Sequence, residues 1–103
     1  MRVVIAEDDT LLREGLVLLL GNEGIEVAAA VDNADELLAA LAEHEPDAAI
    51  VDVRLPPSFS DEGLRAAVEA RKRRPRLPIL VLSLPPSDTG HRRVLAVLAY
   101  LRS

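Results

Sequence analysis

The sequence contains no cysteine, a single lysine and very few aromatic residues. The lack of cysteine excludes disulfide scaffolds and cysteine-ligated metal sites. Aromatic residues make up 2% of the 103 residues, so the core has to be built from Leu, Val, Ile and Ala. No apolar run approaches the roughly 20 residues that a membrane-spanning helix needs, and the N-terminal MRVVIAEDD turns acidic too early for a signal peptide. We therefore expect a soluble, cytoplasmic protein with no membrane partner.

A surplus of positive charge is also missing, because the formal net charge is -5. Binding to nucleic-acid phosphates needs a surplus of Lys and Arg, so we expect no direct nucleic-acid binding by this chain. The basic run RKRRPR at residues 71–76 fits a solvated helix end, where cations are favoured in any case. With 50% apolar and 28% charged residues, the composition predicts one globular domain over residues 1–103.

Short apolar runs alternate with segments of helical periodicity. Strands are predicted at residues 3–6, 25–31, 48–51 and 78–82, with helices beginning near Leu11, Asn33 and Ser60. In the third of these helices, Leu64, Ala67 and Val68 are expected to face inward. Alternating strands and helices with short connections predict an α/β fold, in which a parallel sheet is covered on both faces and wound by right-handed crossovers.

The last 20 residues do not continue this alternation. Residues 84–90 contain two prolines and a glycine and are predicted to form a loop. Residues 91–103 carry apolar side chains at helical spacing, namely Val94, Leu95, Leu98 and Leu101. One more helix is therefore predicted there, and no segment is left for a fifth strand.

Polar residues follow three of the four predicted strands. Glu7, Asp8 and Asp9 follow the first, Asp52 the third and Ser83 the fourth. Ligands of an open parallel α/β sheet bind outside the carboxyl ends of its strands, so these side chains are expected to converge. Carboxylates brought together repel unless a cation offsets them, and Mg²⁺ takes oxygen ligands. Capping of the first helix is the alternative explanation for Asp8 and Asp9.

Three separated motifs, AEDDTLLREGL, VDVRLP and LVLS, occur in this order with the strand–helix alternation around them. In this respect the chain resembles the receiver domain of bacterial response regulators. The phrase DVRLPPSFSDEGL resembles receivers attached to helix-turn-helix output domains of the NarL/LuxR type. The resemblance covers residues 2 to 83, and it implies a CheY-like (flavodoxin-like) doubly wound sheet with strand order 2-1-3-4.

The resemblance also implies a set of site residues. Asp52 matches the phosphoacceptor, and Ser83 matches the hydroxyl that reorients toward the phosphoryl group on activation. Asp8 matches a direct Mg²⁺ ligand, and Glu7 matches an acid that acts through water. Arg54 matches the position whose backbone carbonyl binds the metal, so Glu7, Asp8, Asp52 and the Arg54 carbonyl form the expected metal site.

The implied chemistry is phosphoryl transfer from a phosphohistidine of a sensor histidine kinase to Asp52. Mg²⁺ would neutralise charge on the transferring group. The acyl phosphate would then bias a two-state element, and regulate transcription through an output domain or partner. Receivers catalyse only their own phosphorylation, so the chain is not expected to be an enzyme in the ordinary sense.

The sequence departs from the family at its C-terminal end. Receivers place a lysine at the end of a fifth strand, but the only lysine here is Lys72, in the third predicted helix. Aligning Tyr100 with the aromatic residue of that strand puts the lysine position at Ser103, and Arg102 is not expected to substitute. The fifth strand and fifth helix are predicted to be missing. The fourth strand would then be an open apolar edge, so a homodimer through this edge or through the last helix is expected.

Three functions follow from these observations. The first is a phosphoaccepting receiver, favoured by Glu7, Asp8, Asp52 and Ser83. The second is a degenerate receiver that acts by protein contact or dimerisation without phosphorylation, favoured by the missing lysine. The third is an aspartyl phosphatase, which is disfavoured because Arg54 stands where such hydrolases have a second Asp.

Overall fold

The structure is a computed structural model that describes residues 1–56 and 61–82. Within them the chain alternates between strands and helices in this order: β1 (Arg2–Ala6), α1 (Thr10–Asn22), β2 (Glu26–Val31), α2 (Ala34–His44), β3 (Ala48–Asp52), α3 (Glu62–Arg73) and β4 (Ile79–Leu82). All seven elements were predicted from the sequence, and their bounds differ from the prediction by a few residues. The expected loop at residues 84–90 and the expected helix at 91–103 lie outside the described residues.

The four strands form one sheet in the order β2-β1-β3-β4, and the three adjacent pairs are parallel. This confirms the fold class and the strand order 2-1-3-4. The order places β1 and β3 in the interior of the sheet, where both faces are covered. The acids that follow these two strands therefore lie side by side at one edge of the sheet.

Alternate residues of the interior strands enter two different cores. Val4 and Val51 belong to a cluster that α2 and α3 cover. Ile5 and Ile50 are paired in register and belong to a second cluster on the opposite face, which α1 covers with Leu16. Because every residue of β3 is buried, its last residue, Asp52, is held in a fixed position relative to both cores.

The helix ends follow their predicted chemistry in part. The Asn33 side chain accepts a hydrogen bond from the Glu36 amide at 2.9 Å, which confirms Asn33 as the N-cap of α2. Gly21 and Gly24 favour a helix stop, and α1 ends between them at Asn22, with Gly24 at φ 79°. One other expectation was wrong. In α3, Leu64 and Val68 were predicted to face inward, yet they are 46% and 51% exposed.

The reason is the spacing between α3 and the sheet. The buried residues of α3 are small: Gly63, Ala66, Ala67 and Ala70. The helix lies against the sheet through this face, and the larger Leu64 and Val68 are turned outward. Across residues 1–56 and 61–82, no helix has the length and apolar character needed to cross a membrane.

Candidate functional site

The turn between β1 and α1 is closed by hydrogen bonds of the acidic segment. Asp9 is the N-cap of α1, because its side chain accepts a bond from the Leu12 amide at 3.1 Å. The Asp9 amide donates to Oε2 of Glu7 at 3.1 Å. Arg13 Nη1 donates to the Glu7 carbonyl oxygen at 2.8 Å, so the first turn of α1 is tied to the end of β1. The turn therefore holds Glu7 in place, with a side chain only 1% exposed.

Asp8 lies between Glu7 and Asp9, whose carboxylates both accept backbone hydrogen bonds. It is half-buried, and within residues 1–56 and 61–82 no hydrogen bond or ion pair engages its carboxylate. The alternative explanation of Asp8 as a helix cap is therefore not needed, since Asp9 takes that role. Asp8 keeps a carboxylate available for a ligand.

Asp52 ends β3 beside this turn and is 8% exposed. Its Oδ1 accepts a hydrogen bond from the Arg54 amide at 3.1 Å. The next residue, Val53, donates its amide to the Leu82 carbonyl at 2.9 Å. The strand end that carries Asp52 is thus attached to β4 on one side and to its own following turn on the other.

The structure brings three of the predicted metal ligands together. Glu7, Asp8 and Asp52 each offer one carboxylate oxygen, and these three oxygens lie within 4.8 Å of one another. Oxygens bound to one Mg²⁺ at 2.0–2.1 Å lie at most about 4.2 Å apart, so the group is close to the size of one coordination shell. An all-oxygen donor set with high negative charge fits a hard divalent cation such as Mg²⁺.

Of the other two predicted site residues, Arg54 lies beside the three carboxylates and Ser83 lies outside the described residues. Arg54 is exposed, and its amide bond to Asp52 places its backbone next to the cluster. The role of its carbonyl as a ligand stays a prediction. Ser83 lies outside the described residues, as do Tyr100, Arg102 and Ser103, which bear on the family's lysine position. Lys72 is exposed near the C-terminal end of α3, away from the ends of the strands that carry the acids.

Sequence reasoning missed two residues of this site. Arg13 was not singled out, and nothing in the helical period of α1 indicates its bond to the Glu7 carbonyl oxygen. Gly63 was not singled out either, although its amide donates to the Val53 carbonyl at 3.0 Å. The available signal in the sequence is a glycine in the first turn of a helix, directly after Asp61 and Glu62. A glycine at such a position allows the helix to approach another backbone closely.

The basic run at residues 71–76 lies at the opposite end of α3. Arg73 Nε pairs with Glu69 at 3.1 Å. Arg74 pairs with Glu45 at 3.0 Å and donates to the Leu41 carbonyl at 3.0 Å. Two of its guanidinium groups are thus bound by neighbouring acids, as expected of a solvated helix end.

Comparison with known proteins is in keeping with this geometry. The sequence matches the model of the family described as the response regulator receiver domain over residues 3–99. The oxygen regulatory protein NreC of Staphylococcus haemolyticus is 34% identical over 85 residues, which cover 82% of this chain and 38% of that protein. The virulence transcriptional regulatory protein PhoP of Salmonella typhimurium is 43% identical over 83 residues, or 81% of this chain and 35% of that protein.

Solved structures agree with the fold. A DNA-binding response regulator of the LuxR family from Staphylococcus aureus aligns with a TM-score of 0.72 and 26% identity, covering 93% of this chain and 78% of that one. The chain spans well under half the length of NreC and PhoP. The similarity to these two regulators therefore concerns one part of each.

Proposed function

We propose that this chain, which belongs to the response regulator receiver domain family, accepts a phosphoryl group on the carboxylate of Asp52. The donor would be a phosphohistidine of a sensor histidine kinase. The phosphorus–nitrogen bond breaks, a phosphorus–oxygen bond to Asp52 forms, and the released imidazole takes a proton from solvent. The observation that carries the proposal is the group of three carboxylates within 4.8 Å at the carboxyl edge of the sheet.

Each residue of the group has a defined task in this proposal. Glu7 and Asp8, together with Asp52 and the Arg54 carbonyl, would hold Mg²⁺ as the cofactor. When bound, Mg²⁺ neutralises negative charge on the transferring phosphoryl oxygens. The Arg54 amide orients the Asp52 carboxylate through its 3.1 Å bond to Oδ1. Burial of Asp52 at 8% exposure restricts water around the reacting oxygen.

The signal would end in transcription. NreC and PhoP are named as regulatory proteins, and this chain matches about a third of each. We propose that phosphorylated Asp52 regulates transcription through an output domain or partner. Ser83 would supply the hydroxyl that reorients toward the phosphoryl group. We propose that the chain acts in the cytoplasm, where both the histidine kinase and the transcriptional output would be reached. Beyond its own phosphorylation, the chain would have no enzymatic activity.

Phosphorylation is tested with a small phosphodonor and intact-mass measurement. We expect the chain to gain one phosphoryl group only when Mg²⁺ is present, and Asp52→Asn to gain none. Asp9→Asn is the matched control, because it changes a neighbouring acid but keeps a side chain that caps helices as well as Asp does. Equal modification of Asp52→Asn, or no modification of the folded chain at saturating donor, would contradict the proposal.

A second candidate function is a receiver that acts by contact between copies, without phosphorylation. One observation favours it: within the described residues, β4 pairs with β3 alone. A largely apolar groove of about 410 Å³ runs beside this edge, lined by Ala67, Val68, Ile79 and Val81 and by the basic residues Arg71 and Lys72. A homodimer through the β4 edge would cover these side chains. Dimerisation through this edge would not in itself prevent phosphorylation, since the groove and the carboxylates occupy different parts of the fold.

A further inference from the structure

We infer that Gly63 is a positioning residue for the Asp52 site, because only a residue without a side chain lets α3 touch the backbone that carries the carboxylate. The inference rests on the proposed function and adds a residue to it. No ligand role toward the metal or the phosphoryl group is assigned to Gly63. It acts through the main chain of Asp52 and Val53.

The contact is between backbone and backbone. Gly63 is buried in the first turn of α3, and its amide donates to the Val53 carbonyl oxygen at 3.0 Å. A Cβ added to Gly63 would overlap the Asp52 carbonyl oxygen, at 2.7 Å from the Asp52 carbonyl carbon and 3.0 Å from that of Val53. Main-chain atoms cannot rotate away as a flexible side chain can. A side chain at position 63 therefore has to move either the helix or the end of β3.

The end of β3 is fixed against such a movement on its other side. The Val53 amide is bonded to the Leu82 carbonyl at 2.9 Å, and the Leu55 side chain, 0% exposed, is anchored in the core. Displacement at position 63 would therefore be passed to the peptide between Asp52 and Val53. That peptide sets the direction of the Asp52 carboxylate toward Glu7 and Asp8.

The other glycines of the described helices lie in open surroundings. A Cβ at Gly15 or at Gly21 in α1 would meet nothing within 4 Å. Replacing either by Ala also changes Gly to Ala within a helix, where Ala is favoured by about 1 kcal/mol. Gly15→Ala and Gly21→Ala are therefore matched controls for the general effect of the substitution.

The test is Mg²⁺ affinity, measured by calorimetry on Gly63→Ala and on both controls, with circular dichroism to confirm folding. We expect Gly63→Ala to bind Mg²⁺ about tenfold more weakly or worse, as is typical when the groups behind metal ligands are changed. We expect both controls to stay within about twofold of the unsubstituted chain. A folded Gly63→Ala with unchanged affinity would overturn the inference and leave the proposed function standing. Absence of Mg²⁺ binding by the unsubstituted chain would overturn both.

A second measurement uses the unsubstituted chain, and it decides the matter if Gly63→Ala does not fold. If the Gly63 contact holds the site, saturation with Mg²⁺ stabilises the bond from the Gly63 amide to Val53. Hydrogen exchange of the Gly63 amide should then slow, while the amides of Gly21 and Gly24, at the far end of α1, keep their rates. Equal exchange at Gly63 with and without bound Mg²⁺ would overturn the inference.

Discussion

Asp8 and Asp9 are adjacent and chemically identical, yet they have different roles. Asp9 has extended backbone angles, φ -73° and ψ 112°, which let its side chain reach back to the Leu12 amide. Asp8 is one residue nearer the strand and joins Glu7 and Asp52. The difference arises from where the backbone turns into the helix. The residue pattern by itself allowed capping by either residue, and only the family resemblance assigned Asp8 to the metal.

The group of three carboxylates predicts a stability that depends on Mg²⁺. Without metal, Asp8→Asn removes one negative charge from the group, so we expect its free energy of unfolding to rise relative to the unsubstituted chain. With Mg²⁺ at 100 times its dissociation constant, the unsubstituted chain should gain about 2.7 kcal/mol, and Asp8→Asn should lose most of this gain. Urea unfolding followed by circular dichroism, with and without Mg²⁺, measures both effects.

The control for this prediction is again Asp9→Asn. It removes a charge of the same type one residue away but leaves the three ligand oxygens in place. Its Mg²⁺-dependent gain should therefore match that of the unsubstituted chain. A gain of the same size in Asp8→Asn would contradict the assignment of Asp8 as a ligand.

At the scale of the elements, α3 shows how side-chain size sets the position of a helix. Its buried face consists of one glycine and three alanines, so the helix axis can lie close to β3. This closeness is what allows Gly63 to reach the backbone of Asp52. The same closeness means that the face has no room for larger side chains.

Ala70→Leu should therefore destabilise the chain, although Leu is also a good helix former. Ala70 is 2% exposed, and adding methylene groups to a packed core costs about 1–3 kcal/mol. Val68→Ala, at a position that is 51% exposed, should change stability by less than about 0.5 kcal/mol. Thermal unfolding of the two variants separates these cases. A neutral or stabilising Ala70→Leu would show that α3 is not closely packed.

The sequence predicted the strands and helices because their hydrophobic periods differ. Asn33 also marks the start of α2, and Pro46 and Pro75 follow the ends of α2 and α3. The sequence predicted the acidic group because the carboxyl ends of adjacent parallel strands meet at one edge. It could not predict the orientation of α3, since Leu64 and Val68 look like core residues by hydrophobicity alone. The contact of Gly63 was equally hidden, because hydrophobic period carries no information on how near a helix lies to a strand.

At the scale of the whole molecule, the two faces of the sheet are unlike its edges. Both faces carry a buried core, so the residues most ready to join another chain are those along an edge. Within the described residues, β4 is one such edge, with four apolar residues ILVL. An apolar edge strand with unpaired amides is a template for pairing with a second strand.

The direction of the β4 amides tells which substitution tests this pairing. The Ala49 amide donates to the Pro78 carbonyl and the Val53 amide to that of Leu82, so residues 78, 80 and 82 direct their polar groups toward β3. Ile79 and Val81 therefore direct theirs to the outer side, since polar groups alternate along a strand. Proline is tolerated in an edge strand where the lost amide faces outward.

Val81→Pro should accordingly prevent dimerisation and leave the pairing of β3 with β4 intact. We expect light scattering to show a dimer of the unsubstituted chain at high concentration and a monomer for Val81→Pro. Val81→Ala keeps the amide while shortening the side chain, so its dimer should persist. If the unsubstituted chain stays monomeric over the whole concentration range, dimerisation through β4 is wrong. If Val81→Pro still forms the dimer, another surface makes the contact, because the outward amide of β4 would then have no part in it.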